Sequence, residues 1–344
     1  MREFVLIAPY TIDFREVEPA PLRPDEVRVR TILSGIKHGT ELTLYEGKTP
    51  FLHKRFDPGL RLFMDDESQS FYPTFLGSWA VRGRDRGRGS IRNFAVGDRV
   101  FGPMPHRPEN VTQTARLYHL GELDPAAAVF TDPGIFALTA VQDAQIKVGD
   151  HVAVFGMGAL GLLAVQFARM NGAETVIAVD LLPDRLELAR EFGADYALNP
   201  KDGDVSLEIK RLTGDKGVDA AIEISGSVAA LQSAIRAVQP CGLIVAASYY
   251  KGQQPIELGA EWHHNRLTLI SSMPVWGMPH RCAPLWSLAR VEQTVIRLLR
   301  AGKIATAPMV SAVFAYEDAA DAYRTISASP EQYIKTVFRI RIAG

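Results

Sequence analysis

Three glycines carry the clearest chemical signal in the sequence. Gly156, Gly158 and Gly161 are spaced as G-x-G-x-x-G between an apolar run, HVAVFG, and an amphipathic stretch, ALGLLAVQFARMNG. Between a strand and a helix, the first glycine permits a tight turn, the second lets a phosphate approach the backbone, and the third lets helix and strand pack closely. The pattern therefore predicts a dinucleotide whose pyrophosphate lies at a helix N-terminus.

An acidic residue after the next apolar run refines this prediction. Asp180 closes TVIAVD, where a carboxylate accepts hydrogen bonds from the adenosine ribose hydroxyls and repels a 2′-phosphate. We therefore predict NAD as the cofactor, and NADP stays possible because Arg185 lies nearby in the sequence. Serines and glycines that end later strands should complete the site, although such residues are equally normal in turns. The predicted cofactor-binding residues are Gly156, Met157, Gly158, Ala159, Leu160, Gly161, Asp180, Arg185, Ser225, Gly226, Ser248 and Ser271.

The elements that must position these residues change in character along the chain. The first third contains short strand-like runs, FVLIA, DEVRVRTILSG, FLGSWAV and NFAVGDRVFG, whose spacing predicts a small β-barrel. From about Asp132 onward strands and helices alternate, with one helix starting at Pro183, which predicts an α/β fold with a doubly wound parallel sheet. A further helix is predicted in LWSLARVEQTVIRLLRAGK. The last strand, in YIKTVFRIRIAG, is predicted to rejoin the first domain.

Composition excludes several classes of protein. The chain has 344 residues, a net charge of -1 and 47% hydrophobic residues, which favours neither nucleic acid nor a membrane surface as a partner. The arginine-rich stretch at 81–90 is interpreted as a solvated turn, because it is short and lacks interleaved aromatic residues. Cys241 and Cys282 are the only cysteines, and neither lies in a C-x-x-C pair or beside other likely metal ligands. Both are expected to be buried and reduced. We expect a cytoplasmic protein.

The order of these regions resembles a known family. The segments that carry the resemblance are SGIKHGTEL, VGDRVFG, DPGIFALTAV, VGDHVAVFGMGALGLLAVQFA and IKTVFRI, and they are similar to the medium-chain dehydrogenase/reductase superfamily, the zinc-type alcohol dehydrogenase relatives. The resemblance implies a Rossmann dinucleotide-binding domain at 132–274 and a GroES-like β-barrel catalytic domain formed by 1–131 and 275–344. It also implies a homodimer or homotetramer, with a subunit contact near 265–275.

The metal-ligand segments of the family are altered in this sequence. Zinc-containing relatives carry a Cys-Gly-Thr/Ser-Asp segment, a Gly-His-Glu segment, and a third ligand just before the Rossmann domain. Here the first segment reads Lys37-His38-Gly39-Thr40-Glu41 and the second reads Gly77-Ser78-Trp79, while Asp132 resembles the third ligand. Because catalytic zinc needs three protein ligands, we predict a member that lacks most zinc ligands and has no metal site. A divergent site that recruits Glu41 or His53 is the alternative.

Without a metal, side chains must handle the proton of the substrate hydroxyl. The resemblance places His38 at a metal-ligand position, and its imidazole titrates near neutral pH, so we predict it as the acid/base. Thr40 matches the family residue that relays the hydroxyl proton, and Asp132 is predicted to orient His38 or to act as the base. Glu41 matches an acidic residue that orients the site. A purely structural His38 is the alternative.

Together these features predict an NAD(H)-dependent, zinc-independent oxidoreductase that interconverts a secondary alcohol, of a polyol, sugar-like or cyclic substrate, and a ketone by hydride transfer. The alternatives are an NADPH-dependent quinone or enoyl reductase of the same superfamily and a non-catalytic cofactor-binding protein. The aromatic-rich excursion at 45–72 is expected to wall the substrate pocket or brace a subunit contact, unless its rings merely anchor the loop. Trp79 and Trp276 are expected to line the same cleft.

Overall fold

The computed structural model describes residues 1–18, 21–66, 71–82, 94–250, 254–275 and 277–341. The chain divides into two compact units, of which the first joins Met1–Phe130 to Met309–Gly344 and the second is Thr131–Pro308. Most of the arginine-rich stretch and Trp276 lie outside the described residues, so their predicted roles stay predictions.

A largely antiparallel sheet organises the first unit. The strands of this unit are β1 (Arg2–Ala8), β2 (Thr11–Glu16), β3 (Glu26–Gly35), β4 (Lys54–Asp57), β5 (Leu62–Asp65), β6 (Trp79–Arg82), β7 (Val100–Pro103), β8 (Glu109–Gln113), β9 (Tyr118–His119), β16 (Val310–Ala315) and β17 (Lys335–Arg339), and its helices are α1 (His38–Tyr45), α2 (Pro125–Ala128) and α9 (Ala319–Ala328). Strands β1 and β2 pair with each other, as do β4 and β5, in two separate two-stranded sheets. The main sheet has the order β16-β17-β3-β6-β7-β9, and β8 pairs with the first half of β3. Because β17 pairs with β3, the last strand does rejoin the first unit, as predicted.

An aromatic cluster forms the core around the ends of this sheet. The ring centroid of Phe4 lies 5.2 Å from that of Tyr316 and 5.7 Å from that of Phe338, and Tyr323 packs on the same cluster. These rings come from β1, from the segment after β16, from β17 and from α9. Because its rings come from both ends of the chain, the cluster joins those ends to each other. Large buried rings contribute strongly to the stability of a core.

The second unit contains the parallel sheet. Its strands are β10 (His151–Phe155), β11 (Thr175–Val179), β12 (Tyr196–Leu198), β13 (Val218–Glu223), β14 (Val238–Ala246) and β15 (Thr268–Ser271), and its helices are α3 (Thr131–Asp143), α4 (Ala159–Met170), α5 (Pro183–Glu191), α6 (Val205–Leu212), α7 (Val228–Ala237) and α8 (Leu288–Arg300). The order β12-β11-β10-β13-β14-β15, with all pairs parallel, is the order 3-2-1-4-5-6 of dinucleotide-binding folds. The predicted α/β fold class is confirmed.

The strand sequences explain why this sheet is buried on both faces. Val152, Ala153 and Val154 are each 0% exposed, so β10 is a continuous apolar run rather than an alternating one, as helices on both faces require. The predicted helix start at Pro183 is also observed. In the part of the chain that the structure describes, no helix has the length and apolar character needed to cross a membrane.

The boundary between the units differs from the predicted one. Residues 275–308, which we assigned to the first domain, belong to the second unit. The reason is helix α8, which packs against α3 through the buried residue Val295. Gly134 of α3 allows this close packing, because an added Cβ would lie 2.6 Å from Cγ1 of Val295. Strand β15 forms one edge of the sheet, and the oligomeric state expected from the resemblance stays a prediction.

Two expectations about individual residues are corrected by the structure. Both cysteines are exposed, so the prediction that they are buried is wrong. Cys241 lies in a polar bend at the start of β14, where its φ is +63° and its N–H donates to the Asn265 carbonyl. Trp79 is 4% exposed and packs on Phe101, with ring centroids 6.0 Å apart, so it is a core residue of the first unit.

Part of the excursion at 45–72 is a short hairpin at 54–65. Strands β4 and β5 pair antiparallel, and Phe63 on β5 packs on Phe56 and Phe51 at centroid distances of 5.1 and 5.6 Å. Phe71 stacks on Phe51 at 6.4 Å. The rings therefore pack on one another, and a role beside the substrate, at a subunit contact or in anchoring the loop to the barrel stays a prediction.

The contact between α3 and α8 is testable by compensating substitutions. Gly134→Ala alone should destabilise the protein by about 1–3 kcal/mol because the new methyl group overlaps Val295. Val295→Ala alone should cost about 2 kcal/mol through lost packing. In the double variant the methyl group fills the space that Val295 vacates, so the combined loss should fall short of the sum by about 1 kcal/mol or more. Thermal unfolding checks this, and strictly additive losses would contradict the proposed contact.

Candidate functional site

The turn after β10 requires glycine for two different reasons. Gly156 has φ +98°, and an added Cβ would lie 2.8 Å from the backbone nitrogen of Ser225. An added Cβ on Gly161 would lie 1.7 Å from the Gly156 carbonyl oxygen, so helix and strand pack in direct backbone contact. In contrast, a Cβ on Gly158 would meet no atom of the described residues within 4 Å, which leaves open space beside the backbone.

Helix α4 begins directly after this open position. Gly158 is its N-cap residue and supplies no side chain to cap the helix. The first N–H groups of a helix have no partner within the helix, and the helix dipole places partial positive charge there. The N-terminus of α4 is therefore suited to bind an anion, as the glycine spacing predicts.

Asp180 links the glycine turn to the end of β11. Its Oδ2 atom accepts a hydrogen bond of 2.6 Å from the N–H of Met157, and its Oδ1 atom accepts one of 3.0 Å from the N–H of Leu182. The carboxylate is thus held at a fixed place beside the turn. Arg185 lies half-buried in the first turn of α5, close to Asp180 in the chain.

Residues from the ends of β13 and β14 reach the other side of the turn. Ser225 lies against Gly156, and Gly226, with φ +76°, lies so close to Ser248 that an added Cβ would be 2.8 Å from its Oγ atom. Three of the predicted residues therefore converge beside the glycine turn. Ser271 is one strand further out, where it pairs with Ala246 at the end of the edge strand β15.

A buried glutamate that the sequence did not reveal holds this region together. Glu223 is 0% exposed and accepts hydrogen bonds from Ser225, from the N–H of Gly226 at 3.3 Å, and from the Tyr250 hydroxyl. Burial raises the pKa of Glu223 and also that of Tyr250, so the phenol stays protonated and donates. An acid inside the apolar run VDAAIE was the available signal for Glu223, whereas no pattern pointed to Tyr250.

A nicotinamide dinucleotide fits what these residues offer. Open backbone at Gly158 admits a pyrophosphate, the N-terminus of α4 attracts it, and Asp180 stands at the end of β11 where a ribose hydroxyl would donate. The strand order reverses between β10 and β13, which is where open α/β sheets bind ligands. The site therefore fits the cofactor class that the glycines predict.

The altered motif segment forms the start of helix α1. His38 and Thr40 lie in its first turn; His38 is half-buried and Thr40 is exposed. The Nε2 atom of His38 lies 2.8 Å from Oγ1 of Thr336 on β17, which is 0% exposed. Thr336 is 298 residues away in the chain, and no sequence signal identified it. Asp132 lies in the second unit, in the first turn of α3, and its grouping with His38 stays a prediction.

The described residues do not fit a catalytic zinc site. Among them, no group of three or more His, Cys, Asp or Glu side chains is placed to hold a metal ion. Ser78 stands where the resemblance places a histidine ligand, and Glu41 is only 3% exposed within the first unit. Because zinc needs three protein ligands, we derive no catalytic step through a metal.

Comparison with known proteins identifies the family. The chain is 33% identical to D-guloside 3-dehydrogenase of Escherichia coli (strain K12), in an alignment that covers 97% of this chain and 99% of that protein. The chain belongs to the medium-chain dehydrogenase/reductase superfamily. The profile of the family described as "Zinc-binding dehydrogenase" matches residues 159–289 of this superfamily member. The matched range lies in the second unit and does not include the altered motif segment.

Two further relatives agree with this assignment. The chain aligns with sorbitol dehydrogenase of Bacillus subtilis (strain 168) at 41% identity, in an alignment that covers 33% of this chain and 33% of that protein. The structure of 2R,3R-butanediol dehydrogenase from Bacillus subtilis superposes with a TM-score of 0.79 at 22% identity, covering 98% of this chain and 99% of that one, and so shares the fold. The superfamily member is an alcohol dehydrogenase-like oxidoreductase, as predicted.

Substitutions of the three glycines should separate cofactor binding from folding. Gly158→Ala fills only open space, so we expect an unchanged unfolding temperature and an NADH affinity at least about 10-fold weaker, because the methyl group blocks the pyrophosphate. Gly161→Ala should instead lower the unfolding temperature through its backbone overlap. Gly259→Ala, also in open space, is the matched control. Fluorescence titration and thermal unfolding check this; unchanged NADH affinity of Gly158→Ala would contradict the assigned site.

Proposed function

We propose that this protein oxidises a secondary hydroxyl group of a sugar-like polyol to a ketone, or catalyses the reverse reaction, with NAD(H) and without zinc. The observation that carries the proposal is the Asp180 carboxylate, fixed to the glycine turn by the Met157 N–H at 2.6 Å. The relative that supports the substrate class is D-guloside 3-dehydrogenase, which aligns over nearly the whole chain.

The cofactor preference follows from charge. A carboxylate that accepts ribose hydroxyls would lie within a few ångströms of the 2′-phosphate of NADP(H), and like charges at such distances repel. Asp180 cannot turn away without losing its hydrogen bonds to Met157 and Leu182. Both features favour NAD(H) over NADP(H).

The chain's own side chains must move the hydroxyl proton. NAD, when bound, supplies the hydride acceptor. We assign the proton of the substrate hydroxyl to the imidazole of His38, whose orientation is fixed by the contact of its Nε2 atom with Thr336. Thr40, exposed in the same helical turn, is proposed to relay the proton, and Asp132 is proposed to stabilise the imidazolium that forms.

Turnover of a substrate panel tests the proposed reaction. With NAD, glycosides and polyols should raise the absorbance at 340 nm more efficiently than simple secondary alcohols, and the activity should survive a chelator. His38→Asn should lower kcat by about 100-fold or more because it removes the titrating nitrogen. His264→Asn, an exposed histidine of the second unit, is the matched control.

Other outcomes of this panel would replace the proposal. Turnover of quinones or enones with NADPH alone would indicate the reductase branch of the superfamily. No turnover of any substrate, together with tight NADH binding, would favour a cofactor-binding protein without catalysis. Activity that is lost with the chelator and restored by zinc would refute the metal-independent mechanism.

The role of Asp180 is testable by the relative affinity for the two cofactors. Asp180→Ser removes the repulsive charge and the ribose acceptor, so NADH should bind about 10-fold or more weakly while NADPH binds more tightly. Asp321→Ser, which removes an exposed carboxylate on α9, is the control for a change in net charge. Fluorescence titrations with both cofactors measure the effect. If the wild-type protein binds NADPH more tightly than NADH, the argument from Asp180 fails.

A further inference from the structure

The altered motif segment is tied to the core of the first unit by one buried carboxylate. Glu41 of α1 is 3% exposed and accepts three hydrogen bonds from three separate parts of the chain. Its Oε1 atom accepts the N–H of Lys37 at 2.9 Å, and its Oε2 atom accepts Nε2–H of His106 at 3.0 Å and the hydroxyl of Tyr323. Tyr323 comes from α9, and His106 follows β7.

The charge of this carboxylate is compensated inside the protein. The side chain of His106 is 0% exposed, and its Nδ1 atom lies 2.7 Å from Oγ of Ser34, so both ring nitrogens are engaged. Burial raises the pKa of Glu41, but the charge of His106 and the hydrogen bonds outweigh it and hold that pKa at about 2. Glu41 is therefore ionised. Removing the imidazole of His106 would leave the buried carboxylate of Glu41 without its charge partner.

His106 also contacts the second altered segment. Gly77 has φ +115°, and an added Cβ on it would lie 2.3 Å from the backbone nitrogen of His106. The N–H of His106 donates to the Leu76 carbonyl at 2.9 Å, and the N–H of Met104 donates to the Ser78 carbonyl at 3.0 Å. The backbone of His106 is thus fixed against Gly77-Ser78-Trp79, while its ring is fixed against Glu41. Both altered segments therefore converge on this histidine.

The consequence for the site lies in the bond to Lys37. Lys37 is the N-cap residue of α1, its side chain does not cap the helix, and the Glu41 carboxylate holds its N–H instead. The next residue is His38, which reaches Thr336 at 2.8 Å only if α1 starts in this orientation. A shift of about 1 Å at Lys37 would break that contact, because hydrogen bonds weaken steeply with distance and angle.

We propose that His106 and Tyr323 are positioning residues that fix the Glu41 carboxylate and so set the orientation of His38 through the backbone of Lys37. The inference rests on the proposed role of His38 as the proton acceptor. None of the three residues needs to touch the substrate. Their buried hydrogen bonds fix this segment before the substrate arrives.

The test compares two buried hydroxyl groups. Tyr323→Phe removes the hydroxyl that donates to Glu41, whereas Thr213→Val removes a buried hydroxyl of the second unit that donates to the Ile209 carbonyl and accepts the N–H of Gly217. Tyr323→Phe should lower kcat by about 10-fold, with the KM values for cofactor and alcohol within about 2-fold of wild type. Thr213→Val should lower the unfolding temperature and leave kcat unchanged. Equal kcat in both variants would overturn the proposal.

A second measurement does not depend on activity. The protein has 8 histidines, so ¹⁵N-histidine labelling gives a countable set of ring signals, and His38→Asn assigns the signal of His38. The ring ¹⁵N shifts of His38 should move in Tyr323→Phe and in His106→Gln but not in Thr213→Val. If they stay fixed in all three variants, the residues are merely structural. Because this readout needs no substrate, a failed substrate panel would refute the proposed function without deciding this inference.

Non-additivity gives the last criterion. Since Tyr323 and His106 both act through the Glu41 carboxylate, His106→Gln combined with Tyr323→Phe should lower kcat by no more than about 3-fold beyond the larger single effect. Losses that multiply fully would mean that the two residues act independently and would overturn the shared role. Should His106→Gln fail to fold, Tyr323→Phe with its control still decides between the two outcomes.

Discussion

The backbone contact between the start of α4 and the end of β10 is the constraint on which the cofactor site depends. Because an added Cβ on Gly161 would lie 1.7 Å from the Gly156 carbonyl oxygen, helix and strand can meet this closely only with glycine at position 161. The contact brings the first N–H groups of α4 to the carboxyl end of the sheet. Asp180 from β11 and Ser225 after β13 then reach the same turn from the strands on either side of β10.

Buried carboxylates stabilise the irregular segments of both units. Glu223 gathers Ser225, Gly226 and Tyr250 beside the glycine turn, and Glu41 gathers Lys37, His106 and Tyr323 around the motif segment. A buried carboxylate is tolerated only when several donors surround it, so each one fixes the loops that supply those donors. The two differ in compensation: Glu41 faces an ionisable histidine and has a lowered pKa, whereas burial dominates at Glu223 and raises it.

Local patterns predicted the second unit well. Glycine spacing, apolar strand runs and the helix start at Pro183 each depend on a few neighbouring residues, and the structure agrees with each of them. The patterns were less informative where packing decides. Helix α8 was predicted as a helix but assigned to the wrong unit, because its amphipathic face does not reveal that Gly134 is its neighbour. Burial of the cysteines was predicted from residue type alone and was wrong.

The sequence by itself determined the fold class, the family and the dinucleotide turn, because those signals are carried by residues close together in the chain. Only the tertiary structure decided which partners complete each site. Thr336 is 298 residues from His38, and Tyr323 is 282 residues from Glu41. Such pairs meet because β17 returns to pair with β3 and α9 packs beside it in the aromatic core. Hydrogen-bond partners that are so far apart in the chain produce no local sequence pattern. Folding of the whole chain, and not local geometry, brings them together.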